Sequence, residues 1–454
     1  MPQSFAENRW VLDQSRPLRL FTLFILYVTQ GVPIGLFWFA IPAWMAAKGA
    51  SAADVAYVLG FTALPWTLKL VNGFLMDRYT FLPMGRRRVW LIGAQLVMIA
   101  ALLICAFIAP ASSDVGMLAA AGFVVNMATT YQDVAVDGLA VDIMEEEERA
   151  RASGMMFGGQ AIGIALSTAS TGFVISQFGA SAAYLLSALF IGMISLYVVL
   201  LRERPGERRL PWSQGTANAR NLAIQAEAWW PILKATFISL IKPASLLWAP
   251  VLLTRGFHYG ALTGLTPMIG TGYAGWNEAE ITSITGTAGL VAGLLGLTVG
   301  GWLGDRFGAK ISTIGMFAMF ILMSAIMYLG IALWSDAAFF SAFVFAWLAL
   351  DTLITVVALP ISMRLCDPKV AATQFTLYMA CSNLGTTLGA SALGLAEQMG
   401  GLRNLFLMVM GLHIIGLIVM IFVRFPRRKG HPSFVASAVA DRMPQGDGVV
   451  PVHN

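Results

Sequence analysis

Apolar positions along this chain come in long unbroken runs, separated by short charged segments. Twelve such runs lie near 18–46, 54–76, 89–110, 115–141, 152–175, 180–201, 246–273, 281–303, 311–334, 338–364, 370–395 and 402–424. Each is near or above the ~20 residues that a helix needs to cross the hydrocarbon of a bilayer. Inside lipid the backbone finds no water, and a helix satisfies its N–H and C=O groups within one segment. The expected fold is therefore an all-α membrane protein with twelve transmembrane helices. The first run, from Leu18 to Met45, is too long for the apolar core of a secretory signal and reads as a span.

Composition agrees: 57% of residues are hydrophobic and 12% charged, against roughly a quarter charged in a soluble domain. The charges are distributed unevenly. One set of loops carries Arg78, Arg86, Arg87, Arg88, Arg149, Arg151, Arg202, Arg204, Arg208, Arg209, Arg306, Lys310, Arg364 and Lys369, and the other set only Lys48 and Arg403. By the positive-inside rule both termini are expected in the cytoplasm. This topology accounts for the basic excess without a nucleic-acid partner. Cys105, Cys366 and Cys381 have neither metal spacing nor a disulfide framework. The sequence has no P-loop, no HExxH and no nucleophile elbow, so an ATP-driven or enzymatic role has no support. No cofactor or metal is expected.

An internal repeat divides the chain. "GFLMDR" (Gly73 to Arg78) ends the second run and "GWLGDR" (Gly301 to Arg306) ends the eighth. These are equivalent places if the chain is two six-helix halves, the plan of one large transporter class. The expected divisions are an N-terminal half over 1–201, a linker over 202–245, a C-terminal half over 246–426 and a disordered cytoplasmic tail over 427–454. Within the linker, "NLAIQAEAWWPILKATFISLIKP" is partly apolar. Pro231, Lys234 and Lys242 favour a helix lying in the membrane interface, with Trp229 and Trp230 at headgroup depth.

The two repeated segments resemble the loop motif of the major facilitator superfamily. That resemblance implies that Gly73, Asp77, Arg78, Gly301, Asp305 and Arg306 help lock the halves together on the cytoplasmic side. A narrower likeness is to the AmpG-type permeases and the related acetyl-coenzyme A transporters. It rests on "TQGVPIGLFWFAIPAW", "LPWTLKLVNGFLMDRYTFLPMGRRRVWL", "QDVAVDGLAVDIMEEEERARASG" and "AATQFTLYMACSNLG". The family resemblance implies a bacterial inner-membrane permease for muropeptides, or a relative that takes up siderophores, with a single chain as the working unit.

Charges inside the apolar runs mark the candidate site, since a lone charge at mid-bilayer costs about 2.5–3.5 kcal/mol on translocon scales. Lys69 lies about eight residues from the cytoplasmic end of the second run. Asp133 and Asp137 lie at about matching depth in the fourth and share one helix face. A pair between Lys69 and one of these aspartates is expected, while Asp142 is assigned to the loop beyond. In the second half Arg255 and Asp351 fall in the seventh and tenth runs. Asp351, without an evident basic neighbour at its depth, is the first candidate proton carrier, with Asp133, Asp137 and His258 as others. Gln30, Asn72, Gln132, Gln160 and Asn383 are candidate polar lining. The expected activity is secondary transport by alternating access. A polar or anionic solute is held by Lys69 and Arg255, and the proton gradient supplies the energy. The alternatives are siderophore uptake and a transporter-like receptor or assembly factor that moves nothing.

Overall fold

The computed structural model describes residues 10–50, 52–225, 229–276 and 278–425, so the tail expected over 427–454 lies outside the described residues. Long helices occupy all twelve apolar runs. In the first half α1 spans Arg16–Ile34 and continues through a π-helical stretch, Gly35–Ala40, into Ile41–Ala47. α2 is Ala52–Leu68 followed by Leu70–Arg78, α3 Arg88–Ile108, α4 Val115–Ile143, α5 Arg149–Phe178 and α6 Ala180–Leu200. In the second half α7 is Pro243–Gly272, and α8 runs from Glu278–Leu295 through π-helical Gly296–Gly300 into Gly301–Phe307. α9 is Ala309–Leu329, α10 Ala337–Leu365, α11 Ala371–Gln398 and α12 Asn404–Phe422.

Eight of these helices are long and apolar enough to cross a membrane alone, and two bent pairs raise the number to ten. The remaining two, α4 and α11, carry the polar residues discussed below, which lower their hydropathy. The linker forms a short helix, Ala219–Ile224, and a longer one, Trp229–Leu240. The longer one turns 77° into α7, so it lies across the bundle. Val11 bridges Arg202 beside the start of α1, and we call the side that carries this bridge and the linker the linker face.

Lipid tails are as apolar as leucine, so helices in a membrane associate through close packing and hydrogen bonds. The most intimate contacts use small residues. Gly256 and Gly260 of α7 sit against the carbonyls of Ser382 and Thr386 in α11, while Gly385 and Gly389 of α11 sit against the carbonyls of Leu253 and Phe257. In the first half Gly31 and Gly35 of α1 pack on the α5 backbone, and Gly159 and Gly163 of α5 pack on Phe24 and Val28. Any Cβ at these positions would meet backbone. The two halves therefore repeat one construction, α1 with α5 and α7 with α11.

Contacts between the halves gather at the linker face. Gly73 of α2 lies against Thr373 at the start of α11, where an added Cβ would be 2.9 Å from its Cα. Gly301 of α8 lies against Arg151 at the start of α5, and a Cβ there would be 3.1 Å from its Cα. Further along, Gly154 and Gly158 of α5 face Gly296 and Leu297 of α8.

Candidate functional site

α2 bends by 45° at Lys69, with Pro65 one turn earlier loosening the helical ladder. At the bend Lys69 meets α4, its Nζ 3.1 Å from Asp133 Oδ2. Gln30 of α1 donates to the other oxygen, Nε2 to Oδ1, at 2.7 Å. One turn along α4, Asp137 Oδ1 accepts from the Tyr27 hydroxyl at 2.5 Å. All five side chains are buried. Two carboxylates therefore share one ammonium, and Asp137 has a hydroxyl where Asp133 has a cation.

Asn72, one turn beyond Lys69 towards the linker face, donates to Thr130 at 3.0 Å. Towards the opposite face the same three helices carry a neutral layer. Trp38 and Trp66 both donate their indole N–H to Asn126 Oδ1, at 3.2 and 3.1 Å. Lys69 Nζ lies 5.6 Å from the Trp66 ring centroid.

The second half balances its charges differently. Asp351 of α10 pairs with His258 of α7, Oδ1 to Nε2 2.9 Å, and the imidazole is fully buried against Phe320 and His413. Arg255, one turn away on α7, donates to two hydroxyls: Nε to Thr355 Oγ1 at 2.8 Å and Nη1 to Ser382 Oγ at 3.1 Å. No carboxylate lies within ion-pair distance of it among the described residues. The expectation that Asp351 lacks a basic neighbour is thus corrected. His258 lies three residues beyond Arg255, about 4.5 Å further along the helix, and reaches it.

At the linker face a buried network closes the gap between the halves. Asp77 Oδ1 is 2.8 Å from Arg87 Nη2 and 3.5 Å from Arg86 Nη2. Its Oδ2 accepts from the backbone N–H and the hydroxyl of Thr373, both at 2.9 Å. A carboxylate at the start of α11 suits the positive end of that helix. Arg86 also donates to the Pro368 carbonyl at 2.8 Å and lies 3.3 Å from Asp142, while Arg87 Nε is 3.0 Å from Asp142. Burial alone would push the Arg87 guanidinium down, but Asp142 and Asp77 outweigh it and hold it well above its ordinary range. Glu203, from the linker, accepts the backbone N–H groups of Arg86, Arg87 and Arg88 at 2.9, 2.7 and 2.6 Å, capping α3. Elsewhere on this face Arg151 pairs with Asp305 at 2.7 Å and Arg364 with Glu146 at 2.6 Å, each pair joining the two halves. Arg19 holds Glu148 within the first half, with contacts down to 2.7 Å.

The family profile described as Major Facilitator Superfamily matches residues 23–274 and 251–445, nearly the whole chain. The chain belongs to the Major Facilitator Superfamily. Among curated relatives, the anhydromuropeptide permease of Escherichia coli (strain K12) is 24% identical over 413 residues, covering 88% of this chain and 79% of the relative. Among solved structures, FucP in its outward conformation superposes with a TM-score of 0.65 at 11% identity, covering 89% of this chain and 98% of FucP. The human organic anion transporter MFSD10 superposes with a TM-score of 0.60 at 10% identity, covering 88% and 98%. As a member of this superfamily the chain is a multi-pass membrane transporter.

Several expected site residues of this transporter are placed elsewhere than the sequence suggested. Gln132 turns away from Lys69: it accepts from Gln95 and donates to the Leu26 carbonyl, both at 3.0 Å, and so fastens α4 to α3 and α1. Asp142 belongs to the end of α4 and its buried arginine network, not to a loop. Arg78 makes no ion pair among the described residues and lies over the Tyr79 ring at 4.9 Å. Arg87, at the start of α3, is the arginine nearest Asp77 among the described residues. Arg306 is exposed, and Arg151 is the partner of Asp305. Gln160 is half-buried on α5, and Asn383 is exposed on α11 beside Ser382. Sequence reasoning also missed Tyr27, Arg86, Arg87 and Glu203. The three consecutive arginines at 86–88 looked like solvated loop charges, but the ends of α2 and α4, the start of α11 and the linker together bury them.

Proposed function

We propose that this transporter imports an anionic, muropeptide-like solute across a bacterial inner membrane, coupled to protons, with the linker face in the cytoplasm. The observation that carries the reading is the unequal charge of the two halves. In the first half Lys69 neutralises one aspartate, leaving Asp137 facing only Tyr27, with Asp133 and Lys69 as its charged neighbours and Arg87 engaged by Asp77 and Asp142. An uncompensated carboxylate at this depth costs about 2.5–3.5 kcal/mol, and a bound proton removes that cost. In the second half Arg255 is held by hydroxyls alone, leaving its charge for a carboxylate of the solute.

In this reading the described state faces outward, because the contacts between the halves gather at the linker face. Solute and proton enter together, Asp137 is neutralised, and the Asp77 network releases as the halves rock. The relative's name supports the solute class, and an arginine with no carboxylate within ion-pair distance among the described residues supports an anion. The test is uptake into proteoliposomes of muropeptides, siderophores and acyl-coenzyme A, with and without an imposed pH gradient. Gradient-dependent accumulation of the muropeptides alone is the expected result. Accumulation that ignores the gradient, or that favours another class, overturns the coupling or the solute respectively.

A further inference from the structure

The layer above Lys69 has a geometry that the ionic site does not use. Trp38 comes from the π-helical stretch of α1, a local irregularity that in membrane and soluble helices alike often marks a functional position. Trp66 lies three residues before the bend of α2. Their indole N–H groups converge on a single acceptor, Asn126 Oδ1. Both hydrogen-bond donors are thereby consumed, and what the half-buried rings offer a solute is their surface. Asn126 is seven residues from Asp133 on α4, about 10 Å along the helix, while the Trp66 ring lies 5.6 Å from Lys69 Nζ.

We infer that Trp38 and Trp66, positioned by Asn126, form a stacking platform for a pyranose ring. The inference rests on the proposed function, with the solute passing along this layer. A ring face with its negative quadrupole attracts the weakly positive C–H groups on the flat side of a sugar. It would also attract a cation, but Lys69 already stands beside Trp66 and repels a second positive charge. The first half would then read the saccharide of a solute, while Arg255 in the second reads its carboxylate.

The test compares equilibrium binding, on the purified full chain, of an anhydro-muramyl peptide and of the same peptide without sugar. Trp66→Ala and Trp38→Ala should weaken the sugar-bearing probe about 10-fold, the scale of one aromatic stacking contact, and leave the bare peptide unchanged. Trp66→Phe and Trp38→Phe should retain most of the affinity, and Asn126→Asp, which keeps the acceptor, should weaken it less than Asn126→Leu. If the alanine variants do not assemble, judged by monodisperse elution and thermal unfolding, Trp66→Met and Trp38→Met supply an apolar side chain without a face. Equal weakening of both probes, or none, overturns the platform, and muropeptide uptake indifferent to both tryptophans leaves the transport reading standing without it. If muropeptides fail but another glycoside binds in a tryptophan-dependent way, the platform stands and the proposed solute falls. A well-assembled wild type that binds no pyranose-bearing probe, or binds aromatic rings through these tryptophans instead, also overturns it.

Discussion

Asp77 and Asp305 occupy matching places, at the linker-face ends of α2 and α8. Each sits beside the start of a helix in the other half. Yet Asp77 is fully buried with two arginines and the Thr373 backbone, whereas Asp305 and its single partner Arg151 are 22% and 46% exposed. The buried charges of the spans repeat the contrast. The first half sets two carboxylates against one lysine; the second sets one carboxylate against a histidine, beside an arginine with no acid within ion-pair distance among the described residues. A duplicated frame has kept its packing and divided its chemistry. One half holds surplus acid and the more deeply buried inter-half network, and the other holds an arginine bonded to hydroxyls.

The largest expected effect tests the two locks. Asp77→Asn strips charge from a buried network, a change of about 3–5 kcal/mol when one partner of such a pair is lost. Uptake should be abolished, and cysteine labelling from the linker face should reach the cavity. Asp305→Asn removes a partly exposed pair worth about 0.2–1 kcal/mol, and uptake should fall less than about 5-fold. Equal losses would erase the distinction. Next come the two buried acids. Asp137→Asn should reduce gradient-driven accumulation by about 100-fold while sparing solute exchange, since the fixed neutral side chain no longer cycles a proton. Asp351→Asn should leave the gradient dependence intact and weaken binding by releasing His258. If Asp351→Asn instead removes coupling, the proton belongs to the second half.

A smaller change is expected for Arg255→Gln, which should raise KM for anionic solutes about 10–100-fold with kcat nearly unchanged, as for loss of a charge-assisted contact. Lys69→Gln should act on kcat as well, because it leaves Asp133 unpaired. The smallest effect concerns the linker. Burial, with Glu203 close by, pushes the Glu207 carboxyl up to about 8. The folded linker then holds a proton that the unfolded chain has released. Its docking is strongest below the ordinary glutamate range and weakens as pH rises through about 8. Hydrogen exchange over 203–224 should quicken with pH in that window, and Glu207→Gln should flatten the response.

The sequence made the helices legible because each run had to satisfy its own backbone in lipid. It also made the Lys69–Asp133 pair legible, because depth along a helix follows from residue count. It did not yield His258–Asp351, since counting residues fixes height but not which faces of two helices meet. Nor did it yield the Asp77–Arg87–Asp142 network. Positive loop residues already have a sufficient explanation in topology, and their burial depends on distant helix ends, and for Arg88 the linker, coming together over them, which no local pattern announces. Gln132 shows the converse: a polar residue next to Asp133, one residue earlier on the helix, points to a different neighbour.

Helix α11 touches Arg255 through Ser382 and Asp77 through Thr373, two points nine residues and about 13 Å apart. Its glycine seam with α7 leaves no slack for one helix to slide on the other. A pull applied at the arginine is therefore delivered at the lock as displacement, with α11 as the lever arm and α7 as its stiffening rib. Stiffness, supplied here by the absence of side chains, ties the height of Ser382 to that of Thr373.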